Sequence, residues 1–344
     1  MVNSMFEKVF VEKEIRHHPR TLHILSKLRK EPFLIDQIED FFGRVKKPYL
    51  QKRDNLNLFI GSKKGRTVKQ APDAYGLGGE PHYYFIHAYN CIYECEYCYL
   101  QGYFNSPDMV FFINHEDIAK EMKQLIDKNA EKTIWFHAGE FSDSLALSHF
   151  TGEIPFYFDF FKDHPEAKLE FRTKSANTRE IEKMAPLPNV ITTFSLSPQE
   201  RAEKTDRGCP PTSTRIRAME KLYKLGHPIG LHLDPIIHSE NLFSEYAQLL
   251  DELTEKIPAD YFEYVSIGVV RFTKEVYRQV QLNYPESDLL VGEFIKPEDG
   301  KVRYPGSLRK HILGKIQKMC LEKGFKNQAV YQCMKINFHF LVGF

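Results

Sequence analysis

No stretch of this 344-residue sequence approaches the ~20 consecutive apolar residues that a membrane-spanning helix requires, so that class is excluded. An apolar segment of the kind a secretory leader needs is also missing after the Met1-Val-Asn-Ser start. Cysteine is scarce. Three of the six sit in one short loop, which is not the spacing of a secreted disulfide framework. An intracellular, reducing compartment, the cytoplasm, is therefore expected. Net charge is close to nil, with 47 Lys and Arg against 46 Asp and Glu, so overall charge points to no class of partner. Locally it does more. Arg44 to Lys69 carries nine basic residues against Asp54 alone, and Lys296 to Lys335 carries ten against Glu298, Asp299 and Glu322. Most such runs are solvated faces, but two of them flanking a central segment suit a phosphate-bearing partner. With 42% hydrophobic residues the chain can bury one large α/β domain with appendages, or two modest domains.

What is present is a thiol loop, Cys91-Ile-Tyr-Glu-Cys95-Glu-Tyr-Cys98, directly after an apolar run that reads as a strand, Tyr83–Tyr89. Three soft thiolates on a CxxxCxxC turn can hold three irons of a [4Fe–4S] cube and leave the fourth open. Two other readings take the same residues. A structural zinc site can be closed by His87 or His115, or the cysteines are small apolar core residues. A zinc knuckle usually has a second half, and Cys209, Cys320 and Cys333 do not form one. With Tyr97 just before the last cysteine, the loop resembles that of the radical S-adenosylmethionine (SAM) superfamily. That resemblance implies SAM chelated at the open iron and cleaved reductively by one electron.

Further along, the pattern is repetitive. Residues 1–79 read as an N-terminal appendage, with a helix around Glu14–Arg29 and a glycine-rich Tyr75–Gly79. Six short strands follow, Tyr83–Ala88, Thr133–Ala138, Lys168–Thr173, Val190–Leu196, Pro228–Asp234 and Phe262–Val270, alternating with helical windows. Two windows are clear. His115–Lys128 places Ile118, Met122, Leu125 and Ile126 on one face, and Thr212–Leu225 has Thr212 or Ser213 as N-cap candidates and stops at Gly226. The α/β alternation implies right-handed parallel units, either a partial barrel or a doubly wound sheet. Radical SAM resemblance selects the partial (β/α)6 barrel, over residues 80–275, with 276–344 as a basic C-terminal extension.

Parallel barrels carry their chemistry at the carboxyl ends of strands. There lie Gly139-Glu140-Phe-Ser142-Asp143, Arg172-Thr-Lys174, Phe194-Ser195-Leu-Ser197 and Val269-Val270-Arg271. The radical SAM resemblance implies that Glu140, Ser142 or Asp143 accepts a hydrogen bond from the amino group of SAM, with helix capping the plain alternative for Ser142 and Asp143. Lys174 can meet a carboxylate, and the serines can reach it too.

Taken together, the stretches from Tyr84 to Tyr103, Ser142-Asp143, Arg172–Asn177, Phe194–Pro198, Pro228–Pro235 and Arg271–Thr273 resemble the spore photoproduct lyase family of DNA-repair radical SAM enzymes. The resemblance implies Cys91, Cys95 and Cys98 as cluster ligands, Lys174 and Ser195 as contacts of the SAM carboxylate, and Tyr97 and Tyr99 as hydrogen-atom relays. It also implies Arg303 and Tyr304 on a DNA-contacting hairpin, a DNA substrate, and a flavodoxin or ferredoxin as electron donor. One departure stands out. Where that family has a hydrogen-donating cysteine before the Ser-Asp pair, this chain has Glu140, whose O–H bond is too strong for the task. A family branch with another substrate, with Cys209 in the donor's place, is thus one alternative, and a non-enzymatic nucleic-acid-binding protein with a structural metal is another.

Overall fold

The computed structural model describes residues 5–42, 56–72, 76, 79–104, 106–297 and 300–333. Most of the first basic run (Arg44, Lys46, Lys47, Lys52 and Arg53), most of Tyr75–Gly79, and Glu298, Asp299 and Lys335 lie outside them. Among the described residues no helix is long and apolar enough to cross a membrane.

The chain opens with β1 (Phe6–Glu12), α1 (Pro19–Leu28), β2 (Phe33–Ile35) and β3 (Leu56–Gly61). The helix expected from Glu14 starts only at Pro19, whose fixed φ suits the first helical position, and His18 caps it by accepting from Arg20 N at 3.2 Å. Next come β4 (Val68–Gln70), β5 (His82–Phe85), β6 (Ala88–Tyr89), β7 (Glu94–Cys95), α2 (Leu100–Tyr103), β8 (Met109–Phe112), α3 (His115–Lys128) and β9 (Ile134–His137). In α3, Glu116 and Asp117 begin the helix and Lys128 ends it, matching the helix dipole. Then follow α4 (Ser148–Thr151), α5 (Glu153–Lys162), β10 (Ala167–Thr173), β11 (Val190–Ser195), α6 (Gln199–Thr205), β12 (Asp206–Arg207), α7 (Thr212–Lys224), β13 (Ile229–Ile236), α8 (Leu242–Thr254) and β14 (Tyr264–Val269). Pro211 is the N-cap of α7, and Thr212 instead donates its hydroxyl to Ser197 O at 2.8 Å. The last elements are β15 (Arg271–Thr273), α9 (Lys274–Asn283), β16 (Lys301–Arg303), α10 (Gly306–Glu322) and β17 (Val330–Gln332).

Eight strands form one sheet in the order β17-β14-β13-β11-β10-β9-β5-β4. The run β5 to β17 is parallel throughout and never reverses its order. A doubly wound sheet would reverse at a switch point, so the sheet winds one way and curls into the half-barrel expected, with β17 and the antiparallel β4 added at its edges. A second sheet, β2-β1-β3-β8-β6, takes two strands from within the span read as barrel. The expected first strand therefore divides: β5 stays in the barrel, and after Ile86 and His87 the chain crosses to pair β6 with β8. The cysteine loop lies between β6 and β8, so the N-terminal strands help to fix it.

Apolar side chains fill the space between the barrel sheet and its helices, while the concave side is polar. At its centre Glu170 is fully buried. Its carboxylate accepts from Arg172 at 2.8 and 3.2 Å, from His137 Nδ1 and from the Tyr264 hydroxyl, and His232 Nε2 lies 3.5 Å away. His82 is 2.9 Å from His137, and Thr193 is 2.7 Å from the Tyr264 hydroxyl. Burial opposes ionisation, but Arg172 and His137 hold the Glu170 carboxyl well below the usual carboxylate range. Removing it leaves the half-buried Arg172 guanidinium and the buried His137 and Tyr264 donors without their common acceptor. Glu170→Ala should therefore cost about 3–5 kcal/mol, measured as a lowered urea midpoint with an unchanged m-value.

Candidate active site

At the carboxyl ends of the barrel strands lies a cavity of about 450 Å³, within the range of small-molecule sites. Cys91, Cys95, Cys98, Tyr97, Tyr99, Glu140, Ser142, Asp143, Lys174 and Ser195 all line it. The sequence-derived candidates from four separate segments thus meet around one space. Arg303 and Tyr304 do not line it. Tyr304 is 1% exposed, packs on Phe294 and accepts a hydrogen bond from His238 N at 3.0 Å, so its ring has no face to offer a duplex. Arg303 is half-buried on β16, paired opposite Arg271 in a two-stranded ribbon whose Lys301 reaches the cavity.

Several candidates are already engaged. Asp143 accepts from Leu145 N (3.0 Å), Ala146 N (2.8 Å), Thr173 Oγ1 (2.7 Å) and Lys174 N (2.7 Å). It works as a local cap that also ties the β9 loop to the end of β10, with Oδ1 taking three of these bonds and Oδ2 one. Gly139 makes this approach possible, because a Cβ there would come within 2.9 Å of Arg172 O. Tyr97 donates to Asp206, which pairs with fully buried Arg215 at 2.8 Å. Tyr99 donates to the backbone carbonyl of Glu140. Lys174 places its ammonium 5.3 Å from the Tyr97 ring centre. Burial pushes the Glu140 carboxyl up, with Arg172 acting against the rise.

Four further groups on the same wall belong to no motif of the sequence that implies a role. Asp234 and Arg271 form a two-point pair at 3.1 and 3.2 Å; burial opposes the Asp234 charge and Arg271 holds its carboxyl down. Their positions, at the end of β13 and just after β14, were the available signal. Cys333, 3.6 Å from Arg271 Nη2, and Tyr84 also line the cavity. Nothing in the sequence marked β17 as a barrel strand, so Cys333 gave no signal. Cys209 is absent from the cavity wall, and its sulfur lies 3.7 Å from that of Cys95.

The donor set suits sulfur-ligated iron: three thiols, one buried and two half-buried, share one wall. Among the described residues no three His, Cys, Asp or Glu side chains already converge as a metal-ready group. The histidines of the zinc reading point elsewhere. His87 bonds Ala138 O at 3.1 Å, and His115 bonds the Tyr157 hydroxyl at 3.0 Å.

The fold and this cavity describe an α/β half-barrel with a three-cysteine loop at its mouth. The family model for spore photoproduct lyase matches residues 68–329, and the chain belongs to that family. It is 27% identical over 209 residues to spore photoproduct lyase from Bacillus subtilis (strain 168), covering 60% of this chain and 61% of that protein. With spore photoproduct lyase from Clostridium acetobutylicum it shares 21% identity over 291 residues, 84% and 85% of the two chains. Among solved structures, a spore photoproduct lyase variant with bound AdoMet and dinucleoside spore photoproduct superposes with a TM-score of 0.80 at 19% identity, covering 95% of this chain and 97% of that one. That likeness supports the fold.

Below the loop, His87 Nδ1 approaches Glu153 at 3.8 Å. Burial lowers His87 to about 4 and raises Glu153 to about 8, so both are neutral at neutral pH and the contact is no ion pair. The unfolded Glu153 carboxyl ionises from 4.5 while the folded one holds its proton to about 8. Its contribution to stability is full below the lower value and is lost as pH rises through that window. Glu153→Gln should therefore gain stability relative to wild type as pH rises, checked by urea midpoints of both proteins at each end of the window.

Proposed function

We propose that the chain is a radical SAM lyase acting on a photodamaged base in DNA. The observation that carries this reading is the gathering of Cys91, Cys95 and Cys98 with Lys174, Ser195, Ser142 and Glu140 around one cavity. A [4Fe–4S] cluster held by the three cysteines would supply the electron that splits SAM and hence hydrogen-atom abstraction. Lys174 and Ser195 hold the SAM carboxylate, a charge-assisted contact strengthened by burial. Ser142 and Glu140 face its amino group, and Asp143 acts through the backbone it pins. Tyr99, at the cavity and bonded beside Glu140, suits a hydrogen-atom relay. Tyr97, tied to Asp206, positions the loop. An electron donor of the flavodoxin or ferredoxin kind is required.

A base must leave the stack to reach such a cavity, at a cost of a few kcal/mol that damage reduces. Lys301 and Arg303 beside the opening, and the exposed Lys310, Lys315 and Lys318 of α10, suit phosphate contacts. Tyr304, in the core, takes no part. Glu140 in place of a thiol favours a second reading within the same chemistry, a substrate other than spore photoproduct. The structural-metal reading lacks a fourth ligand from His87 or His115.

Anaerobic reconstitution followed by SAM and dithionite tests the proposal. Wild type should bind iron and sulfide and form 5′-deoxyadenosine, more of it with ultraviolet-treated DNA, and the variant combining Cys91→Ala, Cys95→Ala and Cys98→Ala should form none. Intact SAM in the wild-type reaction would overturn the reading. SAM cleavage without repaired thymine would favour the second substrate.

A further inference from the structure

Cys209 is the one thiol that the cavity chemistry leaves without a task yet that sits against a proposed iron ligand. Its sulfur lies 3.7 Å from Cys95 Sγ, and the approach is built by the backbone. Strand β12 pairs with β7 in antiparallel register, Asp206 opposite Cys95 and Arg207 opposite Glu94, and Glu96 N donates to Thr205 O at 2.8 Å. Gly208 then takes a left-handed φ of 74°, which a side chain would resist. The resulting turn, closed by Cys209 N to Asp206 O at 3.0 Å, returns Cys209 over Cys95. Fully buried Arg215 pins both flanks, reaching Asp206 Oδ2 at 2.8 Å and Pro210 O at 2.9 Å. Outside the turn, Arg207 Nε donates to Glu96 at 2.7 Å. Two sulfurs on so fixed a frame need to close by only roughly 1.7 Å to reach bonding distance.

We propose that Cys95 and Cys209 form a reversible disulfide, an oxidation site that withholds Cys95 from iron until a reductant opens it. Cys95 lines the cavity, so a small peroxide can reach it. Hydrogen peroxide oxidises one thiol to a sulfenic acid and releases water. The second thiol attacks that sulfur, forms the S–S bond and releases a second water, so two thiols lose two electrons and two protons in all. A dithiol returns them. Without Cys209 the sulfenic acid at Cys95 has no fixed partner and oxidises further to the irreversible sulfinic acid.

Metal-stripped full-length protein is treated with hydrogen peroxide, denatured, alkylated with N-ethylmaleimide and mapped by mass spectrometry. Two of the six thiols should be lost, with Cys95 and Cys209 peptides joined and released by dithiothreitol. In Cys209→Ser, Cys95 should instead carry added oxygen. Full alkylation of all six thiols, or a link from Cys95 to Cys91 or Cys98, would overturn the proposal, and the wild-type map decides this even if the variant folds poorly. Iron uptake by the same wild-type samples should fall several-fold after peroxide and return with dithiothreitol; uptake unaffected by the disulfide would overturn the withholding role. If the link forms but no sample binds iron at any stage, the cluster reading fails while the disulfide stands.

Discussion

One buried carboxylate organises the half-barrel. Glu170 bonds groups on β9, on its own strand and on β14, and through them reaches β5 and β11. A curled sheet that does not close has a concave side that must be filled, and here polar side chains fill it. Charges there add little net stability over an apolar core, but losing one partner is costly because the rest stay buried. The arrangement therefore fixes geometry more than it adds stability. It sets how the strands lie side by side, and with them the spacing of Glu140, Arg172, Lys174 and Ser195 at their ends.

A second tie works at the cysteine loop. The β7–β12 ladder, the Tyr97–Asp206–Arg215 chain and the bonds of Glu94, Glu96 and Gln101 to Tyr284, Ser287 and Asn283 hold the loop against α9 and the segment before α7. The loop also follows β6, which belongs to the N-terminal sheet. Thiols on a short turn between two sheets have few ways to move. A cluster would have to draw three of them inward from a common wall, whereas Cys95 and Cys209 need only a small closure.

In the proposed reading, Glu140 in place of a thiol separates the fold from the detail of the reaction. The half-barrel, the cysteine loop and the placement of Lys174 and Ser195 are set by strand order and strand ends, which tolerate wide sequence change. In the proposed reaction, the atom that completes it would sit on one side chain. A single replacement can therefore leave the scaffold intact while altering the chemistry proposed for it.

Strand periodicity, the three-cysteine spacing and the carboxyl-end rule, joined to the family resemblance, were enough to place six barrel strands and ten residues of one cavity wall. Local sequence carries these because alternation and loop spacing involve neighbours in the chain. Only the tertiary structure decided that β6 leaves the barrel, that β17 joins it and brings Cys333 to the cavity, that Tyr304 is core, and that Cys209 meets Cys95 across more than a hundred residues. Each of those depends on pairing between distant segments, which no local pattern encodes.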